Sequence, residues 1–215
     1  MRNIILNSLY SMHSLKYLEI GLLPPMQYFN NATICFIDIC NFSKKCELLT
    51  SEEITEWMTN FHEIINKYLY KYYIQKIETK GDSYLCLSGT NYVNGDLENN
   101  QISRMINFCS KIIKKLNNID TNIRIGIHNG NVSISHLCIE NPIKTAYGDD
   151  VNIAARMEQT SKSNLIHLTK KAAEIYANEK KFRLNTSKCH YITYKNILNM
   201  ESYLFDPYLK NFTIT

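Results

Sequence analysis

The chain has 215 residues, 45% hydrophobic and 20% charged, which fits one globular domain with an ordinary core and argues against a second full domain. Lys and Arg exceed Asp and Glu by 24 − 20 = 4, a mild preference for anionic ligands that falls short of the basic clustering of a nucleic-acid binder, so no nucleic-acid partner is expected. The seven cysteines show no CxxC spacing, which argues against a zinc site or a disulfide framework and for a reducing compartment, and neither a membrane span nor a signal peptide is expected.

In chain order, residues 1–29 read as a weakly amphipathic lead-in ending near Pro24-Pro25, where proline lacks the amide donor a helix needs. The main domain is expected over residues 30–207, with 208–215 as a tail. Ala32 to Ile37 is a short apolar run consistent with a buried strand. Thr50-Ser51-Glu52-Glu53 offers capping groups, after which Ile54, Trp57, Met58, Phe61, Ile64, Ile65 and Leu69 recur at helical spacing. Tyr73 to Glu78 and Tyr84 to Leu87 flank Lys80-Gly81-Asp82 as a hairpin, followed by a polar loop over about residues 89–100. Ile102, Met105, Ile106, Cys109, Ile112, Ile113 and Leu116 mark a second amphipathic helix. Ile123 to Ile127 and Val132 to Ile134 are predicted as two strands around His128-Asn129-Gly130. The order β-α-β-β-α-β predicts an α+β fold of the ferredoxin-like, split-βαβ kind. A C-terminal α/β extension follows: a short helix from about Asp150, a strand near Leu165 to Leu168, a helix through Lys170 to Tyr176, and strands near Tyr191 to Tyr194 and Ser202 to Phe205.

Two aspartates stand where strand-like runs meet turns, Asp38 after Thr33-Ile34-Cys35-Phe36-Ile37 and Asp82 in Glu78-Thr79-Lys80-Gly81-Asp82. A single such aspartate is most often a turn former or a cap. In a split-βαβ sheet, however, the first strand and the hairpin are neighbours. Asp38 and Asp82 can then share divalent cations over a nucleoside triphosphate, with the Ile39 carbonyl completing the oxygen set. Asn41, Phe42 and Ser43 follow directly, and backbone amides exposed at such a turn form a cradle for phosphates; the alternative is a plain loop with a capping serine. Asn152 and Arg156 differ by four and share a helix face, where an amide and a guanidinium can orient a ribose and neutralise charge on a phosphate. The alternative is an exposed Asn and an Arg paired with Asp149 or Glu158.

Taken together, Phe36-Ile37-Asp38-Ile39-Cys40-Asn41-Phe42-Ser43, Lys76-Ile77-Glu78-Thr79-Lys80-Gly81-Asp82-Ser83-Tyr84, Ile123-Arg124-Ile125-Gly126-Ile127-His128-Asn129-Gly130 and Tyr147-Gly148-Asp149-Asp150-Val151-Asn152-Ile153-Ala154-Ala155-Arg156-Met157-Glu158 strongly resemble the class III nucleotidyl cyclase catalytic domain. The resemblance covers roughly residues 18–207, and its lead-in is similar to that of receptor-type guanylate cyclases. It implies that a nucleoside triphosphate closes on itself, its 3′-hydroxyl displacing pyrophosphate from the α-phosphate. Two Mg²⁺ or Mn²⁺ ions would be held by Asp38, Ile39 and Asp82. Asn152 would position the ribose and Arg156 the α-phosphate, with Asn41, Phe42, Ser43, Arg124 and Lys195 as phosphate contacts.

In such a family Glu78 and Thr145 occupy the base-recognition positions. An ionised carboxylate only accepts hydrogen bonds, and guanine offers N1–H and an exocyclic amine as adjacent donors where adenine has a bare acceptor at N1. Leaving a buried polar group unpaired costs about 1–3 kcal/mol, so Glu78 favours GTP by roughly ten- to a hundredfold. Thr145 can donate or accept and does not arbitrate. The sequence departs from the family at Asn41, where a glycine is usual, and at Ile143 and Ile197, where basic residues are usual. The family's sites form between two domains. A homodimer or a heterodimer with a second cyclase domain is therefore expected, in the cytoplasm or at the cytoplasmic face of a membrane if the chain belongs to a larger protein. The competing expectations are an adenylate cyclase and a degenerate domain that regulates an active partner.

Overall fold

The structure is a computed structural model that describes residues 12–90, 100–137, 143–194 and 197–213. Helix α1 (Met12–Glu19) leads into strand β1 (Gln27–Ile39), the short helix α2 (Phe42–Cys46) and the long helix α3 (Ser51–Lys71). The hairpin β2 (Gln75–Lys80) and β3 (Ser83–Ser88) precedes α4 (Gln101–Leu116) and β4 (Ile123–Leu137). Their order across the sheet is β2-β3-β1-β4, each antiparallel to its neighbour, which is the expected split βαβ. Strand β5 (Ile143–Tyr147) pairs with β4 and leads into α5 (Asp149–Gln159). Strand β6 (Ile166–Thr169), α6 (Lys170–Glu179), β7 (Cys189–Tyr194), β8 (Ile197–Asp206) and β9 (Asn211–Thr213) then extend the sheet.

Alternation along the strands makes two apolar layers. Cys35, Ile37 and Ile39 face Phe61, Ile65, Met105, Ile106 and Ile112 of α3 and α4. Ala32 and Ile34 face the other way, against Val151 and Ala154 of α5. Helix α3 starts where the sequence predicts, because Thr50 accepts from the Glu53 N–H at 3.3 Å while the Glu53 carboxylate accepts from the Thr50 N–H at 2.8 Å.

The elements differ from the sequence reading at four places. Strand β1 begins at Gln27, inside the expected lead-in, because Tyr28 and Phe29 pair with Ser133 and Val132 and Phe29 is buried. Within the expected tail, Phe212 of β9 packs edge-on against Phe205, Tyr176 and Tyr203. His128-Asn129-Gly130 is not a turn but the middle of one continuous strand. Gly130 serves close approach there, since a Cβ would lie 2.3 Å from the Asp150 carboxylate. Strand β5 was missed altogether because its five residues, Ile-Lys-Thr-Ala-Tyr, carry little periodic signal. Most of the expected loop over 89–100, and Lys195, lie outside the described residues.

Candidate active site

The antiparallel register places Asp38, the penultimate residue of β1, opposite Arg124 at the start of β4. Asp82 reaches the same end of the sheet from the tight β2–β3 turn, which Gly81 makes possible with φ +57°. The Asp38 carboxyl and the Ile39 N–H both lie close enough to Asp82 to act on its charge. Burial first, and then the neighbouring Asp38 charge, raise the Asp82 pKa from its ordinary value. Two carboxylates crowded in this way form a site that a hard divalent cation relieves, and an all-oxygen set of Asp38, Asp82 and the Ile39 carbonyl suits Mg²⁺ or Mn²⁺. Among the described residues no cluster of three or more metal-ligating side chains occurs, so the fit rests on two acids and a backbone oxygen.

Arg124 lies between carboxylates. One terminal nitrogen donates to Asp38 Oδ2 at 2.6 Å and Nε donates to Glu158 Oε1 at 2.9 Å. Burial alone would lower the Arg124 pKa, but the Asp38 bond and the Glu158 charge raise it. Glu158 is pushed up, chiefly by burial and then by Asp38. Sequence reasoning did not find Glu158 as a partner of Arg124. Its signal was a charge on the buried stripe Val151, Ala154, Met157, Glu158, where an acid has to be paired.

Asn41 sits at φ 56°, ψ 32°, the left-handed geometry that asparagine tolerates. It opens α2, so the amides of Phe42 and Ser43 have no intrahelical acceptor. The Phe42 ring turns inward and stacks on Trp57 at 5.8 Å. Lys45 is tied away from the turn, bonded to the Asp120 carbonyl at 2.6 Å and lying over the Trp57 ring.

Glu78, on β2, pairs with Lys80 Nζ at 2.8 Å. Strand β5, which carries half-buried Thr145, lies against β2. On α5 Asn152 is exposed, and Arg156 Nε donates to the Thr193 carbonyl at 3.1 Å. Arg156 also donates to Gln159 Oε1 at 3.4 Å. No hydrogen bond or ion pair joins Asn152 or Arg156 to Asp38 or Asp82 among the described residues.

Residues 25–206 match the adenylate and guanylate cyclase catalytic domain family. The chain belongs to this family. Receptor-type guanylate cyclase gcy-23 of Caenorhabditis elegans is 30% identical over 162 residues, which are 73% of this chain and 15% of that protein, so the cyclase domain spans a small part of that relative's length. Among solved structures, the catalytic core of a rhodopsin-guanylyl cyclase with converted specificity, in complex with ATPalphaS, is 26% identical with a TM-score of 0.71, over 83% of this chain and 96% of that one. The guanylate cyclase domain of RhGC from Catenaria anguillulae, in complex with GTP, is 25% identical with a TM-score of 0.69, over 83% and 97% of the two chains. These likenesses match the α+β class III cyclase fold. No helix among the described residues of the cyclase domain is long and apolar enough to cross a membrane.

Proposed function

We propose that this cyclase domain converts GTP to 3′,5′-cyclic GMP and pyrophosphate at sites shared between two domains. The observation that carries the reading is the meeting of Asp38 and Asp82 around the Ile39 amide, with Arg124 beside them. Divalent cations held by Asp38, Asp82 and the Ile39 carbonyl would supply the charge that activates the 3′-hydroxyl and offsets that of the phosphates. The remaining work falls to side chains and amides of the protein. Arg124 and the Asn41-Phe42-Ser43 turn hold the terminal phosphates, joined by Lys195. Glu78 and Thr145 hold the base. Asn152 orients the ribose, and Arg156 stabilises charge growing at the α-phosphate.

Support for a shared site comes from the sheet surface. Tyr28 opposes Ser133, Ser133 opposes Tyr147, Ser135 opposes Thr145 and Leu137 opposes Ile143, so these side chains point to one side. Tyr28, Tyr147, Leu137 and Ile143 are all exposed there, an apolar face with Thr145 in its midst. A second copy laid against this face by two-fold symmetry brings one domain's base and ribose residues toward the other's carboxylates. A different cyclase domain as partner would fit the same face. The names of the receptor-type relatives are consistent with a catalytic part lying on the cytoplasmic side of a membrane-bound parent.

One observation favours ATP as a second reading. The Lys80 ammonium beside Glu78 adds a donor that adenine N1 can accept from. The test is cyclic nucleotide formation by the purified chain with Mn²⁺ or Mg²⁺ and each triphosphate, followed against protein concentration. Cyclic GMP made at a rate per protomer that rises with concentration is the expected result. Preferential use of ATP, abolished by Lys80→Ala, would establish the second reading, and no product at any concentration would leave a regulatory partner domain.

A further inference from the structure

We infer that Glu158 is a positioning residue for Arg124, gripping the guanidinium by Nε so that Asp38 can surrender it to a divalent cation without Arg124 leaving the site. The inference rests on the reading of Asp38 as a metal ligand and Arg124 as a phosphate contact. The two bonds use different nitrogens of one rigid fork, so one can break while the other holds. They differ in shielding: the Glu158 side chain is 11% exposed and that of Asp38 is 21%. The Glu158 bond is therefore less weakened by solvent.

The anchor is seated on a close backbone contact. Two residues beyond Arg124, Gly126 lets α5 sit directly on β4, where a Cβ would lie 2.0 Å from the Glu158 amide nitrogen and 2.5 Å from the Ala154 carbonyl oxygen. This close seating of α5 on β4 holds the backbone of Glu158 beside Arg124. Asp38 has a second claim on it, since its carboxyl is also within reach of Asp82. If Asp38 and Asp82 held a divalent cation, Asp38 would have less to offer Arg124, and the guanidinium would be repelled. With Glu158 as pivot, the freed nitrogen turns toward incoming phosphate. Without it, Arg124 rests on Asp38 alone and resists the cation.

The experiment is Mn²⁺ binding to the purified chain without nucleotide, measured by titration calorimetry for the wild type, Arg124→Gln, Glu158→Gln and the double variant. Thermal unfolding of each confirms that a folded protein is being titrated. Removing the internal competitor in Arg124→Gln should tighten Mn²⁺ about three- to tenfold, and Glu158→Gln should weaken it by about threefold or more. In the Arg124→Gln background the Glu158→Gln effect should vanish. A loss of the same size in both backgrounds would mean that Glu158 acts only as a nearby negative charge, and would overturn the inference. An unfolded Glu158→Gln is replaced by Glu158→Asp, whose shorter reach should give the same background-dependent loss. A chain that binds Mn²⁺ with this coupling but forms no cyclic nucleotide would sink the proposed function and leave the positioning role standing.

Discussion

At the Asp38 end of the sheet the charges are matched within one chain, Asp38 to Arg124 and Arg124 to Glu158, with Asp82 beside them. On the outer side of α5, Asn152 is exposed and Arg156 leans on a backbone carbonyl of β7. Both regions belong to the same site in the proposed reaction, yet only the first is internally complete. Buried charges have to be paired when the chain folds, whereas groups meant for a substrate held by another domain have to remain available. On the proposed reading, the cation half would be assembled by folding and the ribose half by association.

The strongest way to break this comparison is complementation. Asp82→Ala should lower cyclase turnover by about a thousandfold, and Arg156→Ala by about a hundredfold or more. An equimolar mixture of the two should recover about a quarter of wild-type activity, since half the random dimers are mixed and each carries one intact site. A mixture no more active than its parts would place both halves in one chain.

The interior behind the matched half offers a test by pH. His167, on β6, donates Nδ1–H to the Met157 carbonyl at 3.0 Å near the C-terminal end of α5, and burial lowers its pKa from 6.5 to about 4. Between these values the unfolded chain binds a proton that the folded chain refuses. Its contribution is therefore complete above pH 6.5 and is lost as pH falls toward 4, about 3 kcal/mol in all. Denaturant unfolding should show this slope in the wild type and lose most of it in His167→Gln.

Glu78→Lys sharpens the comparison at the base. The substitution should shift preference from GTP toward ATP by about ten- to a hundredfold while leaving nucleotide-free Mn²⁺ affinity within about twofold. The smallest effect serves as a control far from both halves. Thr50→Ala removes the cap of α3 and should cost about 1 kcal/mol in urea unfolding with little change in turnover at saturating substrate.

The split-βαβ core could be read from the sequence because its signals are local. Spacing marked α3 and α4, and Gly81 marked the hairpin that delivers Asp82 beside Asp38. The positions of Asp38, Asp82, Asn41 and Arg124 at strand ends and turns followed from motif order. What escaped was long-range. Gly130 resembled a turn former because close helix approach leaves no trace in neighbouring residues. The edge strands β5 and β9 are too short for periodicity to register, and Phe212 is drawn in by rings distant along the chain. Arg124 was given a substrate to hold, but its partners in the structure are Asp38 and Glu158, 86 and 34 residues away. The Lys80 bond to Glu78 was open to a local reading, two residues apart on one strand, and was overlooked.

The seating of α5 on β4 through two glycines has a mechanical corollary. Gly126 lies under Ala154, Met157 and Glu158, and Gly130 lies under Asp150. A methyl group at either place would act as a wedge beneath a rod, lifting opposite tips. If the site is shared as proposed, alanine at 126 should disturb the phosphate grip of a domain's own pocket, whereas alanine at 130 should misaim the amide it would lend to its neighbour. Two alike substitutions on one strand would then injure different molecules of the pair.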